Sequence, residues 1–281
     1  MGVRGIGSRG RGRMAATGVR RAAVVAFATF LTVGLTPLTA SASTLNVYGS
    51  AGTSGYDVSY PNCTDSVPGN PTFGIVGMTG GRPFSTNGCA TTEWQTASKW
   101  SVGPSAYFNT GYAGAYAKSI TSTCSTEAAI ATVYGSLSKH ALSQAEEAWA
   151  IGCSEVDWAQ SVLGGFTTSA PVMWWADIET GNSWSMTTSL NQFTIDGISY
   201  EMQHMTSVAD LGGIYSTASS WKKITGSTSW TPTPAPIANW VAGVKACPKT
   251  TPPFDSSNTV PVPVWLVQTG TPNGVDVDQA C

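Results

Sequence analysis

The chain has 281 residues, 42% hydrophobic and 11% charged, with 14 Lys+Arg against 16 Asp+Glu for a formal net charge of −2. That balance is uneven: residues 1–42 hold six arginines (Arg4, Arg9, Arg11, Arg13, Arg20, Arg21) and no acid, so the rest carries 8 basic groups against 16 acids, a net charge of −8 over 239 residues. Such a surplus excludes an electrostatic footprint for nucleic acid or an anionic membrane surface. The length fits one large domain or two small ones, and the apolar content is ample for a core.

In chain order, the first feature is the run Ala22–Leu35, 14 apolar residues behind the arginines. It leads to Ala40-Ser41-Ala42, with small residues where a signal peptidase cuts. The run is too short for a good membrane span, so residues 1–42 read as an export peptide and 43–281 as the exported chain, without stable membrane insertion. Arg20-Arg21 permits a twin-arginine route, and Ala22-Ala23 is a poor continuation of one.

The exported part alternates β-like runs with helical stretches. Strands are predicted over Gly55–Ser59, Thr72–Thr79, Ser105–Asn109, Pro171–Glu179, Gly212–Ser216, Ile237–Ala242, Val262–Gln268 and Gly274–Val277. Several are nearly continuous apolar runs, as in strands buried on both faces. Helices are predicted over Thr91–Trp100, Leu142–Leu163 and Ser189–Ser207, with a short piece at Ser219–Thr225. In the long helix Leu142, Ala145, Trp149, Ile151 and Trp158 follow an apolar stripe. Repeated βα units, then strands joined by the proline-rich stretches Thr231–Pro236 and Pro248–Pro263, predict an α/β fold. The expectation is a single (β/α)8-type TIM barrel with a parallel sheet, incomplete in its last helices. An open doubly wound sheet is the alternative.

All six cysteines (Cys63, Cys89, Cys124, Cys153, Cys247, Cys281) follow residue 42, and none forms a C-x-x-C pair. In an exported chain that reads as three disulfides rather than a zinc site. Because consecutive elements are usually neighbours, sequential pairing is expected: Cys63–Cys89, Cys124–Cys153 and Cys247–Cys281.

Several chemistries lack their parts. There are only two histidines, His140 and His204, with no H-E-x-x-H helix, no G-x-S-x-G elbow and no Walker loop. His204 sits on an amphipathic helix and reads as a surface or half-buried residue rather than a catalyst. No metal or cofactor is expected. Carboxylates remain. Glu146, Glu147, Glu155 and Asp157 decorate a helix and read as surface. Asp57, Asp177, Glu179 and Asp276 instead lie in or at the end of apolar runs. An acid after Val-Met-Trp-Trp-Ala is costly unless the strand end opens into a polar cleft, and the C-terminal strand ends of such a barrel carry the active site.

Asp177 and Glu179 are spaced i and i+2, which in a strand puts both side chains on one side with Cα atoms about 6.5 Å apart. Two carboxylates so close repel, raising one pKa and leaving an acid beside a base. Glycoside hydrolysis requires that pairing; salt-bridge or cap duty at a strand end is the bland alternative. Of 11 tryptophans, Trp174 and Trp175 must point to opposite faces of their strand. Trp184, Trp240 and Trp265 are candidates for stacking on sugar rings.

Gly55-Tyr56-Asp57-Val58-Ser59, Trp175-Ala176-Asp177-Ile178-Glu179, Gly213-Ile214-Tyr215-Ser216, Val267-Gln268-Thr269 and Val275-Asp276-Val277-Asp278 together resemble the glycoside hydrolase family 25 lysozymes. Order and spacing match across about Gly55–Ala280, and within that group the chain is most similar to secreted actinobacterial glycoside-hydrolase-like proteins. The resemblance implies an incomplete (β/α)8 barrel that cleaves the β-1,4 bond between N-acetylmuramic acid and N-acetylglucosamine in peptidoglycan. It also implies Glu179 as general acid and Asp177 as the carboxylate that holds the 2-acetamido group or stabilises an oxazolinium-like intermediate. Asp57 and Asp276 would complete an acidic floor, with Tyr215 a supporting donor and Gln268, Trp184 and Trp240 contacting substrate. The third strand departs from the pattern, with Tyr107-Phe108-Asn109-Thr110 in place of a tyrosine–histidine motif, and so does the Gly80–Ala90 loop with Arg82. The expectation is a secreted, monomeric glycosidase whose partner is a cell-wall glycan. The alternatives are an inactive relative that binds glycans and a partner-binding domain whose strand-end acids form salt bridges. The second has only eight basic residues to draw on after residue 42.

Overall fold

The computed structural model describes residues 46–67, 69–205, 211–249, 252–255, 261–271 and 274–281. The expected export peptide lies outside them, as do residues 206–207 of the third predicted helix and much of Pro248–Pro263. Eight strands close into a barrel in sequence order: β1 (Ser54–Val58), β2 (Phe73–Gly77), β3 (Ser105–Asn109), β4 (Trp174–Asp177), β5 (Gly212–Ser216), β6 (Ala238–Ala242), β7 (Val264–Gly270) and β8 (Asp276–Ala280). The first seven run parallel, and β8 pairs antiparallel with both β7 and β1. This corrects the expectation of a wholly parallel sheet. The link from β7 to β8 is too short for the crossover that parallel neighbours require. It also corrects the last strand, which begins at Asp276 instead of ending at Val277.

Five α-helices are present among the described residues: α1 (Ala90–Ala97), α2 (Ser122–Ala128), α3 (Lys139–Gly164), α4 (Thr188–His204) and α5 (Ala218–Thr225). Serine and threonine cap three of them: Thr121, Ser138 and Thr217 each accept a backbone N–H of the first turn. α5 ends on Gly226 in the left-handed region at φ 87°. After β6 and β7 no α-helix follows among the described residues. α2 escaped sequence reading because Ser-Thr-Cys-Ser-Thr-Glu-Ala has no apolar stripe. The Cys124–Cys153 disulfide fastens it to α3. The other two bridges join Cys63 to Cys89 and Cys247 to Cys281.

Alternation along the strands sorts side chains into two cores. Phe73, Ile75, Met173, Trp175, Trp240 and Leu266 fill the barrel. Val76, Ala106, Phe108, Trp174, Ala176 and Ile214 face the helices, against Trp94, Val156, Ile198 and Trp221. Trp175 therefore points inward and Trp174 outward. Room for the inward rings comes from glycine: a Cβ on Gly55 would lie 2.2 Å from Phe73, and one on Gly213 2.3 Å from Trp175. Tyr48, on the segment preceding β1, closes the lower end. It shares a 2.7 Å hydrogen bond with Ser105 Oγ and accepts one from Trp175 Nε1–H at 2.7 Å. The long-helix stripe holds for Ala145, Trp149 and Ile151, all buried, whereas Trp158 is 37% exposed.

Candidate active site

The upper end of the barrel interior is polar, and the strand ends dictate which residues meet there. Asp57 is the fourth residue of β1, Asn109 the last of β3, Asp177 the last of β4 and Tyr215 the fourth of β5. In the register Asn109 stands beside Asp177, and Asp177 beside Tyr215. Asp276 reaches the same end by the opposite route. Because β8 is antiparallel, its first residue pairs with Asp57. Glu179 lies two residues beyond β4, half-buried, while Asp177 is 6% exposed.

Hydrogen bonds organise these groups. Gln268 donates from Nε2 to Asp57 Oδ2 at 3.1 Å and accepts from the Tyr215 hydroxyl at 2.9 Å, so β1, β5 and β7 are linked across the cleft. Asn109 Nδ2 donates to Asp177 Oδ2, and Asn109 is held in turn by Thr79 Oγ1, which donates to it at 2.8 Å. The other carboxyl oxygen of Asp177 is buried without a partner. Thr110 Oγ1 donates to the Asp177 carbonyl, fixing the end of β4. Asp276 accepts from Thr271.

The electrostatics follow from burial and from crowding of like charges. Burial raises the Asp177 carboxyl well above the usual range, with Glu179 adding to it. Burial and then Asp276 raise Glu179, partly offset by the Tyr215 hydroxyl. Burial and then Asp276 raise Asp57 to about 7. Asp278, below them in β8, is fully buried and accepts from Trp240 Nε1–H at 2.8 Å; burial and then Asp57 push it well up. Every charged neighbour acting on these four groups is another carboxylate. Burial and mutual repulsion thus disfavour the charged forms of these carboxyls, and no cation acts on them among the described residues, so the salt-bridge alternative for the strand-end acids loses its basis.

Sequence-predicted Asp57, Asp177, Glu179, Asp276, Tyr215 and Gln268 thus converge on one end of the barrel. Trp184 lies beside them, its indole N–H donating to the Glu179 carbonyl at 2.8 Å. Trp240 does not present a stacking face. It is 2% exposed, packed edge-on to Trp175 and Tyr107 beneath Tyr215, and Trp265 is likewise buried with the barrel core. Both are corrected from sugar platforms to core, because the interior beneath the acids has to be filled and these rings fill it. Glu155 is also corrected: read as surface, it is 1% exposed and accepts the Gly111 N–H at 3.0 Å, tying α3 to the segment after β3. Sequence reading missed Asn109 and Asp278. The available signal was the period of two, which puts Asn109 on the face of Tyr107 and Asp278 on the face of Asp276. His204 is exposed and stacked on Tyr200.

No protein-family model matches the sequence, and no curated protein is similar to it. Among solved structures, a bacterial lysozyme from Streptomyces coelicolor superposes with a TM-score of 0.50 and 18% identity, over 82% of this chain and 93% of that one. The modular autolysin LytC from Streptococcus pneumoniae gives a TM-score of 0.47 in one structure and 0.49 in another, in complex with a synthetic peptidoglycan ligand, each at 11% identity. This chain spans 46% of the autolysin's length. At such identity the likeness is one of fold: the chain is built on the same barrel as the S. coelicolor lysozyme.

Proposed function

We propose that the protein is a secreted glycoside hydrolase of muramidase type, cleaving β-1,4 N-acetylhexosamine linkages in peptidoglycan. The observation that carries this reading is the convergence of Asp57, Asp177, Glu179 and Asp276 on one end of the barrel, with no cation among the described residues acting on Asp57, Asp177 or Glu179. Likeness of fold to a lysozyme and the sequence resemblance to family 25 agree with it. Glu179, half-buried and raised by burial and by Asp276, keeps a proton to give to the glycosidic oxygen as the bond to the leaving sugar breaks. Asp177, buried and hydrogen-bonded by Asn109, faces the positive charge that develops at the anomeric carbon or on the 2-acetamido group. Asp57, Asp276, Tyr215 and Gln268 shape the floor that receives the ring.

Export is part of the proposal, with residues 1–42 as the cleaved peptide and 43–281 as the mature monomer. Three disulfides suit an oxidising compartment, and among the described residues no helix is long and apolar enough to cross a membrane. The test is release of reducing ends from purified peptidoglycan by the mature protein and by Glu179→Gln. The variant is expected to lose about 10²–10⁴-fold in kcat with its thermal unfolding unchanged. Wild-type protein that binds peptidoglycan yet releases no reducing ends would instead indicate a glycan-binding relative without activity.

A further inference from the structure

Directly beyond Glu179, the loop from β4 to α4 and the C-terminal half of α5 enclose a pocket of about 260 Å³. Thr180 and Asn182 line the side toward the carboxylates, Trp184, Met186 and Ile224 supply apolar wall, and Lys223 is the one charged side chain among the described lining residues. Met186 is 100% exposed at the rim. An unbranched thioether left wholly in water is an adaptable contact for an apolar group.

The pocket is held rigid, and it is tied to the acids. Trp184 Nε1–H and the Asn182 backbone N–H both donate to the Glu179 carbonyl, at 2.8 and 3.1 Å, and Asn182 Nδ2 donates to the Asp177 carbonyl at 3.3 Å. Asn191 clamps the far wall, accepting from Ser185 N–H at 2.9 Å and donating to the carbonyls of Ser185 at 3.0 Å and Ile224 at 2.9 Å. On the barrel side, Tyr112 N–H donates to the Ser183 carbonyl at 2.7 Å, and the approach is so close that a Cβ on Gly111 would lie 2.5 Å from that oxygen. A loop so fixed fits a recognition surface better than a mobile edge.

Its chemistry is opposite to that of the cleft. The cleft is a cluster of carboxyls with no cation to receive an anion, and the pocket beside it offers an ammonium among apolar and neutral polar walls. A substrate that fills both must carry a neutral sugar at the acids and an apolar, carboxylate-bearing branch one step away. Peptidoglycan has that composition: a neutral glycan whose muramic acid units bear short peptides with free carboxylates. We propose that this pocket is a subsite for the peptide branch of peptidoglycan, with Lys223 taking a carboxylate and Trp184 and Met186 the apolar side chains. The inference rests on the proposed glycosidase reading and adds to it the part of the substrate that sets specificity.

The test compares mature wild type, Lys223→Ala and Lys223→Glu on intact peptidoglycan and on the same material stripped of its peptides by an amidase. Binding of a soluble muramyl-peptide fragment and of its peptide-free disaccharide is measured by calorimetry in parallel. The expected result is a fall of about 10-fold in kcat/KM on intact material for Lys223→Ala, larger for Lys223→Glu, with no change on stripped glycan. Fragment affinity falls by the same factor, and the difference shrinks at high salt. Equal activity of Lys223→Glu and wild type on intact peptidoglycan, or an equal loss on both substrates, overturns the subsite while leaving the glycosidase reading intact. If wild type cleaves neither substrate, the glycosidase reading fails and the calorimetry decides alone: fragment binding weakened by Lys223→Glu supports the subsite, and binding indifferent to it overturns it.

Discussion

Asn109 shows how one side chain sets the behaviour of another. It supplies the hydrogen bond to a carboxyl oxygen of Asp177, whose second oxygen is buried without a partner. A donor stabilises the ionised form, so removing it raises a carboxyl already held above its usual range. Asn109→Ala is therefore expected to move the acid limb of the kcat/KM profile to higher pH, because Asp177 must ionise to assist, and to lower activity at pH 5 more than at pH 7. An unchanged limb would exclude Asp177 as the ionising group. Asp177 and Glu179 were legible in the sequence as acids closing an apolar run, although β4 ends at Asp177 and the strand expected through Glu179 stops two residues short of it. Asn109 carries no charge and stands 68 positions from Asp177, so only register could join them.

Among elements, the tightest junction is that of α3 with α4. A Cβ on Gly152 would lie 1.9 Å from the Thr194 carbonyl oxygen, and one on Gly197 2.1 Å from that of Trp149. Helical glycine ordinarily costs stability relative to alanine, yet here the backbones meet where no side chain fits. Gly152→Ala is expected to destabilise by about 1–3 kcal/mol despite its better propensity, measured by denaturant unfolding. Both helices were legible from their apolar spacing. Their glycines read only as flaws in the pattern, since the contact that needs them comes from the partner helix. The direction of β8, by contrast, is set by the short link from β7, which leaves no room for a parallel crossover.

For the whole molecule, carboxyls held above their usual range dominate pH dependence. Burial raises Asp196, Glu201 and Asp255 to about 7, as it does Asp57. Unfolded carboxyls titrate near about 4, so between about pH 4 and 7 the folded chain binds more protons than the unfolded one. The stability these groups contribute is full below about pH 4 and is lost as pH rises through about 7. Calorimetry should accordingly show Tm higher at pH 5 than at pH 7.5. Asp196 accepts the Thr233 N–H at 2.7 Å, a bond that asparagine can keep without a charge. Asp196→Asn should raise Tm at pH 7.5 by about 2–4 °C and flatten the curve, with little change at pH 4.

The sequence by itself determined the order of the eight strands and four of the five α-helices, the barrel class, that Trp174 and Trp175 take opposite faces of their strand, and the acids that end the apolar runs. Each of these depends on periodicity and on the cost of placing polarity within an apolar run, which are local properties. Only the tertiary structure decided that Trp240 and Trp265 are core, that Glu155 is buried, that Asp276 pairs with Asp57, and that Lys223 shares a pocket with Trp184. Those depend on which residues closure of the barrel brings together across large sequence separations, and no local pattern encodes that.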